Sequence, residues 1–166
     1  MDSSEICKLF GSPLHGWQEW ISGNVRVPRK SRGVYVIRIA GGKTIGRFEG
    51  QSDVIYIGCG IVSRRLKQHS GSRMDLQDKS WQLTLMARNM KLEVGFFPSE
   101  NPKEDETQLI GNYFISHLEL PPANRRLQLS RDHKAQLILS GLLPDKPLSA
   151  LKQISLAQWS PPNTKS

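Results

Sequence analysis

The sequence predicts an α+β fold: a small three-stranded antiparallel sheet flanked by helices, with helical additions at both ends. Three apolar stretches rich in β-branched and aromatic residues, "GVYVIRIA", "VIYIG" and "KLEVGFF", predict the strands. The first two are apolar on both faces, which indicates that helices cover the sheet on both sides. Strands and helices do not alternate along the chain, so their order favours an α+β layer over repeated βαβ units.

The part before the first strand is predicted to be a helical extension. Residues 13–22, "PLHGWQEWIS", place Leu14, Trp17 and Ile21 at helical spacing, which is typical of a short amphipathic helix docked on a domain. The basic connection that follows, "GNVRVPRKSR", contains a proline and is expected to be extended.

A long helix is predicted after the third strand, in "NPKEDETQLIGNYFISHLEL". Asn101 is placed as N-cap, Pro102 at the first helical position and Glu104 three residues after the cap, which is a variant of the capping box. The helix is expected to run to about Leu118 and to stop at the proline pair that begins at Pro121.

The chain has 166 residues, enough for one domain with a core. We expect an N-terminal extension over 1–30, a core over 31–124, and a C-terminal helical extension with a frayed tail over 125–166. Two shorter helices are predicted in that last part, in "SRDHKAQLILSGLL" and "PLSALKQISLAQW". The three parts are expected to form effectively a single domain.

Composition narrows the class of protein. Lys and Arg total 23 against 15 Asp and Glu, a formal charge of +8, which favours a polyanionic partner: nucleic acid first, an acidic membrane second. Cys7 and Cys59 are too few for a disulfide framework or a cysteine-based zinc site, which fits a reducing compartment. No apolar run reaches the roughly 18 to 20 residues of a membrane span, and no signal peptide is recognisable. We expect an intracellular, cytoplasmic protein.

Charged side chains share the apolar sector of a predicted helix after the second strand. Helical periodicity is clear over 61–69 and looser over 76–89. At about 100° per residue, Arg65 and His69 fall in the apolar sector, whereas Arg64 points away. That sector is otherwise formed by Ile61, Val62 and Leu66. An arginine facing a core is costly unless it meets an anion, so Arg65 is a candidate functional residue.

A carboxylate stands in the apolar stripe of the long helix. Glu106 precedes Leu109, Ile110 and Tyr113 on one face, and an ionised carboxylate there needs a cation, a metal or several donors. Arg65 is the cation to which the sequence points. A buried ion pair between these two side chains, without chemistry, is the alternative.

Two tyrosines add phenols to this set. By strand alternation, Tyr35 and Tyr56 can point from neighbouring strands to the sheet face that the two helices are expected to cover. Buried phenols need hydrogen-bond partners. Phenols, a guanidinium, an imidazole and a carboxylate would then meet in one cleft.

These residues resemble the GIY-YIG nuclease family. "GVY" at 33–35 stands for the first triplet and "YIG" at 56–58 matches the second. The family's arginine corresponds to Arg65 in "SRRLKQH", its glutamate to Glu106 in "ETQLIGNY", and its closing asparagine to Asn124 in "PPAN". The resemblance covers more than half of the chain. It implies a GIY-YIG-like fold and phosphodiester hydrolysis.

Two departures from the family pattern stand out. The connection between the tyrosines is longer than the family usually shows, and we expect it to lengthen a hairpin. The stretch from Glu106 to Asn124 is also extended. This leaves two interpretations of Asn124 open: the family's supporting position, or a turn residue after a proline.

The resemblance also implies roles for the site residues. Glu106 would hold a single Mg²⁺ or Mn²⁺, completed by water and phosphate, and Arg65 would clamp the scissile phosphate. Tyr35 would be the base that activates water, with Tyr56 as its hydrogen-bonded partner. His69 would share or relay that proton, or is a core histidine satisfied by a backbone carbonyl.

Glycines surround the second triplet. Gly58 and Gly60 fit a tight strand-to-helix turn that leaves room for a phosphate, and Gly33 lets the first strand start close to a neighbour. Cys59 has no base beside it in sequence and is interpreted as a turn residue rather than a nucleophile.

Basic side chains outside the cleft are expected to follow a nucleic-acid backbone, although each alone is equally consistent with a solvated surface. They are Arg29, Lys30, Arg32, Lys43, Arg47, Arg64, Arg73, Arg125 and Arg126. The main hypothesis is a metal-dependent endonuclease acting on DNA rather than RNA. The alternative is a module on the same fold that binds nucleic acid without cutting it. The oligomeric state stays open, with a dimer as one route to double-strand cleavage.

Overall fold

The computed structural model describes residues 1–20, 25–28, 30–69 and 89–143, with the backbone alone at 67–69. It confirms a mixed α+β fold. In chain order the elements are α1 (Ser3–Phe10), β1 (Gln18–Glu19), β2 (Arg32–Ile39), β3 (Ile45–Gly46), β4 (Gln51–Ser52), β5 (Val54–Ile61), α2 (Val62–His69), β6 (Leu92–Pro98), α3 (Pro102–His117) and α4 (Arg131–Leu139).

The main sheet has four antiparallel strands in the order β1-β6-β2-β5. The predicted strands are its three long ones, and β2 lies between β5 and β6. In this register Tyr35 lies opposite Gly58, and Gly33 lies opposite Gly60. The fourth strand, β1, is a short addition at the edge of β6, where Gln18 pairs with Val94. The expectation of three strands missed β1 because a two-residue strand carries no periodicity.

The core lies on both faces of the sheet, as the apolar character of β2 and β5 indicates. One face packs Tyr35 and Ile37 against Val62 and Leu66 of α2. The opposite face packs Val34, Val36 and Ile57 against α3 and α1. The apolar residues that the two helices contribute to this second face are Leu109, Ile110, Tyr113 and Ile6. The two faces therefore have separate hydrophobic clusters.

The helix predicted over 13–22 is wrong for residues 13–20. His15 and Gly16 have φ values of 66° and 69°, which no α-helix contains, and the chain then enters β1. Trp17 packs edge-on against Phe97, with ring centroids 6.1 Å apart. The edge of β6 offers this segment backbone hydrogen bonds that outweigh its helical spacing. Helix α1 lies earlier, at Ser3–Phe10, and Asp2 and Glu5 form its capping box.

Helix α3 begins and ends close to its predicted positions, but its start uses a different cap. Asn101 is the N-cap and Pro102 follows it, yet the Asn101 side chain makes no capping hydrogen bond. Its backbone oxygen instead accepts from the amides of Glu104 and Asp105 at 3.0 and 3.1 Å. The predicted capping box is therefore wrong. The helix ends at His117, and Leu118 follows in the left-handed conformation.

The connection between β2 and β5 forms a separate two-stranded hairpin of β3 and β4. Helix α4 confirms the helix predicted in "SRDHKAQLILSGLL", with Ser130 and His133 forming its capping box. The helices predicted over 76–89 and in "PLSALKQISLAQW", and the tail predicted to be frayed, lie outside the described residues apart from Asn89. In the described ranges no helix has the length and apolarity to span a membrane.

Replacing Gly33 with alanine should destabilise the fold through the β2–β6 pair. A Cβ at this position would lie 2.2 Å from the Phe97 carbonyl oxygen and 2.6 Å from Cε2 of Phe96. We expect Gly33→Ala to lower the free energy of unfolding by about 1–3 kcal/mol, measured by urea denaturation. Gly46→Ala is the matched control, because no atom lies within 4 Å of its Cβ position. Equal stability of the two variants would contradict the packing described here.

Candidate functional site

Neighbouring strands bring the phenols of Tyr35 and Tyr56 together. Tyr35 on β2 lies opposite Gly58 of β5, and Tyr56 precedes Gly58 by two residues, so both side chains lie on one face. The ring centroids are 5.7 Å apart and the ring planes are inclined by 34°. Tyr35 is fully buried, whereas Tyr56 is half-buried. The phenols therefore form a pair, of which Tyr56 is the member that solvent reaches.

Arg65 reaches this pair from α2. Its guanidinium hydrogen-bonds to both phenols, and the phenols hydrogen-bond to each other. Burial lowers the pKa of Arg65, but the charges of the two phenols and these hydrogen bonds outweigh it, so the net shift is upward. The expected association of guanidinium and phenols is present.

The predicted orientation of Arg65 and Ile61 is wrong. Both are exposed, and Ile61 belongs to the end of β5 rather than to the helix. The residues that α2 buries against the sheet are Val62 and Leu66. The Arg65 stem instead lies over the end of β5, where a Cβ on Gly60 would be 3.8 Å from its Cγ. The arginine thus caps the phenols from the solvent side.

Tyr35 is held in its neutral form. Burial raises its pKa well above the usual range, and the charge of Tyr56 and the hydrogen bond to it act in the same direction. The charge of Arg65 and its hydrogen bond lower the pKa of Tyr35 but do not offset these effects. The buried phenol of Tyr35 thus keeps its proton and shares a hydrogen bond with Tyr56.

Gly58 provides the space in which the phenols meet. A Cβ there would lie 2.6 Å from both Tyr35 Oη and Tyr56 Cε1, closer than carbon atoms approach such groups. Gly58 and Gly60 lie inside β5, so the predicted turn at these residues is wrong. The chain changes direction only at Val62, one residue after β5 ends, and Gly60 precedes this change with a φ of 122°.

Glu106 approaches from the opposite face of the sheet. Its helix, α3, packs on the face that carries Val34 and Ile57, away from Tyr35. The prediction that both helices cover the tyrosine face is wrong. Strands that are apolar on both faces can receive a helix on either one, so alternation along the strand could not assign these helices to faces.

The Glu106 carboxylate is buried and paired. Its side chain is 12% exposed, and Oε2 is 3.0 Å from Nζ of Lys103, one turn earlier on α3. Cys59 donates a second contact to Oε2, with Sγ 3.2 Å away. The cation that compensates Glu106 is Lys103, where the sequence pointed to Arg65.

Cys59 lies between the charges of the two faces. Burial raises the pKa of its thiol to about 11, and the hydrogen bond to Glu106 and the charge of that carboxylate add to the increase. The charges of Lys103 and Arg65 lower the same pKa. The pKa of the Cys59 thiol is therefore raised by Glu106 on one face of the sheet and lowered by Arg65 on the other. Both side chains reach the end of β5, although from opposite sides.

An open cleft of about 520 Å³ lies at this end of the sheet. Arg32, Cys59 and Gly60 form its wall on the side of the strands, and the first turn of α3 with Lys103 forms the other side. Gly60 has no side chain and touches the Arg65 stem. Lys103 lines the cleft together with Glu100 and Glu104. Glu106 and Arg65 lie behind the lining, where Glu106 contacts Cys59 and Lys103 and the Arg65 stem lies next to Gly60.

Asn124 binds the outer edge of β5. Its Oδ1 accepts from the Ile57 amide at 2.9 Å, and its Nδ2 donates to the Ile57 carbonyl at 2.8 Å. Next to it, the Ala123 amide donates to the Ile55 carbonyl at 3.0 Å. The side-chain amide thus stands in for a strand at the residue that follows Tyr56. Asn124 is more than a turn residue, because it fixes the main chain that carries a phenol.

The predicted backbone-binding residues differ in their surroundings. Those that are exposed are Lys30, Arg32, Lys43, Arg64, Arg125 and Arg126. Arg47 is not available to a partner: its side chain is 9% exposed, its Nε is 3.0 Å from Oε1 of Glu119, and its Nη2 donates to the Leu120 carbonyl at 2.6 Å. It holds the β3–β4 hairpin against the end of α3. Arg29, Arg73 and the side chain of His69 lie outside the described residues.

A divalent metal would find one protein carboxylate here. Among the residues that the structure describes, no group of three or more His, Cys, Asp and Glu side chains is arranged to hold a metal ion. Both contacts of Glu106 end on Oε2, which leaves Oε1 without a hydrogen-bond partner in the described part of the chain. Magnesium sites often use one or two carboxylates and complete their shell with water and substrate phosphate. Glu106 fits such a substrate-dependent site and not a preformed cage.

Sequence reasoning missed Lys103 and the position of Cys59. Lys103 precedes Glu106 by three residues, a helical spacing that brings opposite charges together. Cys59 lies an odd number of residues from Tyr56, so alternation places it on the other face of β5. Each of these patterns becomes informative only once Glu106 has been identified as a site residue.

The comparisons with known proteins add no relative: no protein-family model, curated protein or solved structure matches the chain. The interpretation of this site consequently depends on its geometry and on the residue pattern of the sequence.

The Cys59–Glu106 contact predicts an unreactive thiol that Glu106→Gln activates. Removing the negative charge lowers the pKa of Cys59, and thiol reactivity rises with the thiolate fraction. In a Cys7→Ser background we expect about three- to tenfold faster alkylation by iodoacetamide at a pH of about 8. Glu19→Gln, an exposed site on β1, is the control and should leave the rate unchanged. A rate in Glu106→Gln equal to that of the control would refute the contact.

Proposed function

We propose that this protein is a metal-dependent endonuclease that hydrolyses phosphodiester bonds of DNA, on a GIY-YIG-like fold. One arrangement carries the proposal: Arg65, hydrogen-bonded to Tyr35 and Tyr56, packs against Gly60 at the end of β5, where Glu106 contacts Cys59. Phosphodiester hydrolysis needs a cation for the phosphate, a group that activates water and a means of stabilising the leaving oxygen. Arg65 would supply the cation, a tyrosine would activate water, and a metal ion held by Glu106 would stabilise the leaving oxygen.

Arg65 is proposed to bind the scissile phosphate. Its side chain is exposed, and the phenols hold its guanidinium in one orientation. A guanidinium so held presents its remaining N–H groups to a phosphate without first losing rotamer freedom. It would also stabilise the negative charge that develops on the phosphoryl oxygens in the transition state.

Tyr56 is proposed to meet the attacking water, which reverses the roles that the resemblance implied for the two tyrosines. Tyr35 is fully buried and its pKa is raised, so it neither contacts solvent nor readily gives up its proton. Tyr56 is half-buried and shares a hydrogen bond with Tyr35. We assign Tyr56 to orienting and deprotonating water, and Tyr35 to positioning Tyr56.

Glu106 is proposed to hold Mg²⁺ or Mn²⁺ through Oε1. When bound, such an ion would polarise the phosphate and stabilise the leaving oxygen. The carboxylate is fixed for this task by its Cys59 contact and by the burial of α3. Asn124 supports the position of Tyr56, because its two hydrogen bonds to the Ile57 backbone fix the strand that carries this tyrosine.

The exposed basic residues are proposed to follow the DNA backbone on either side of the cleft. Arg32 lines the cleft itself, and Arg64 lies beside Arg65 on α2. Contacts of this kind are independent of base sequence and weaken with added salt. Together with the formal charge of +8, they favour a polyanionic partner.

A second function is favoured by a specific observation. Lys103 already neutralises the carboxylate that would bind the metal, and Arg65 is already engaged by two phenols. The same cleft could therefore serve a module that binds nucleic acid and does not cut it. The two functions differ in whether cleavage accompanies binding, which one assay decides.

Nicking of supercoiled plasmid in the presence of Mg²⁺ or Mn²⁺ tests the proposal. We expect nicking by the wild type, and a loss of about 10²- to 10³-fold in rate for Glu106→Gln and for Arg65→Ala, because each removes charge stabilisation at the phosphate. Tyr56→Phe should lose more activity than Tyr35→Phe, since only Tyr56 meets water.

Glu19→Gln is the matched control, an identical change at an exposed position on β1, and it should nick at the wild-type rate. Salt-sensitive DNA binding without nicking by the wild type would establish the non-cleaving alternative. Neither binding nor nicking would refute both functions.

A further inference from the structure

Lys103 has a part in this site that the endonuclease proposal does not use. Its Nζ is 3.0 Å from Oε2 of Glu106 and 2.6 Å from Oε1 of Gln128. The Lys103 side chain is 70% exposed, whereas the Glu106 side chain is 12% exposed. A largely exposed cation therefore covers a buried anion at the edge of the cleft.

The position of Lys103 over Glu106 is set by its neighbours. The Thr107 hydroxyl lies 2.9 Å from the Lys103 carbonyl and 3.2 Å from Oε1 of Gln128, so α3 and the segment before α4 share this contact. Gln128 offers the ammonium an uncharged acceptor beside Glu106. The ammonium thus has two partners, and Lys103 already lines the cleft.

A divalent cation at Glu106 and the Lys103 ammonium repel each other. Within about 4 Å, two like charges near a protein surface repel each other, because the effective dielectric constant there is lower than that of water. Glu106 is anchored by burial and by Cys59, so the lysine is the group that moves. Lys103 lines the cleft opposite Arg32, and a phosphate is the anion that a strand of nucleic acid would bring between them.

Resting on the proposed function, we propose that Lys103 is a substrate-binding residue that holds the Glu106 carboxylate until a divalent cation takes its place, and then binds a phosphate next to the scissile one. This role of Lys103 adds a phosphate contact to the proposed site and sets the order in which the metal ion and the phosphate bind. No covalent step is involved, because the ammonium exchanges one anion for another.

Removing the lysine should have opposite effects on metal and DNA. We expect Lys103→Ala to bind Mn²⁺ about three- to fivefold more tightly than the wild type, in a titration of free Mn²⁺ followed by electron paramagnetic resonance without DNA. Lys103→Arg keeps the charge and should stay close to the wild type. Lys8→Ala, an exposed lysine on α1, makes the same change in net charge elsewhere and should also match the wild type.

The same variants are then tested for binding a fluorescein-labelled DNA duplex in EDTA, by anisotropy at several salt concentrations. We expect Lys103→Ala to bind about three- to fivefold more weakly than Lys8→Ala, with a salt dependence smaller by about one phosphate contact. Tighter Mn²⁺ binding together with weaker DNA binding is the result expected of the exchange, since a purely structural role of Lys103 would weaken the binding of both ligands.

Three results would overturn the inference in distinguishable ways. Equal Mn²⁺ affinity of Lys103→Ala and Lys8→Ala, with Mn²⁺ binding and nicking intact in the wild type, refutes the role of Lys103 and leaves the proposed function standing. Equal DNA affinity of these variants refutes the phosphate contact. Where the wild type binds Mn²⁺ only with a phosphorothioate DNA duplex present, the variants are compared with that duplex. A wild type that binds no Mn²⁺, alone or with the duplex, refutes the metal site at Glu106, and the exchange with it.

Discussion

The pairing of Tyr35 with Gly58 across β2 and β5 constrains everything else in the site. Two phenols fit on one face because Gly58 has no side chain, and a single methyl group there would overlap both rings. With the phenols in contact, their oxygens form a pair of acceptors that Arg65 reaches from the next helix. The position of the guanidinium is thereby a consequence of strand register.

The end of β5 joins two faces that are otherwise separate. Tyr35 and Tyr56 belong to one hydrophobic cluster, and Glu106 lies on the helix that packs into the other. Gly60 and Cys59 are neighbours in the strand, and each faces one of these charged groups. At this strand end Arg65 and Glu106 are held apart, because Arg65 is hydrogen-bonded to the two phenols and Glu106 pairs with Lys103.

Much of this arrangement could be predicted from the sequence because the signals were periodic. The long strands follow from dense β-branched residues, and the burial of Glu106 follows from its place in the stripe of Leu109 and Ile110. Arg65 was expected inside the apolar sector and paired with Glu106, whereas it is exposed and hydrogen-bonded to the two tyrosines. The face on which α3 packs could not be predicted, since β2 and β5 are apolar on both sides.

Local pattern also failed where tertiary contacts decide. The spacing of Leu14 and Trp17 indicated a helix, but the free edge of β6 turned this segment into a strand. The side chain of Asn101 was predicted to cap the helix, yet it is the Asn101 backbone carbonyl that accepts from the amides of the first turn. The role of Asn124 needed coordinates, because its partner Ile57 is remote along the chain.

We propose that Arg65 and Glu106, from opposite faces, act on one phosphate at the end of β5. A double-mutant cycle on the single-turnover rate of DNA cleavage, with Arg65→Ala, Glu106→Gln and both together, tests this most directly. We expect strong coupling: the double variant cleaves about as slowly as the slower single variant. Losses that simply multiply, as for two independent sites, would contradict it.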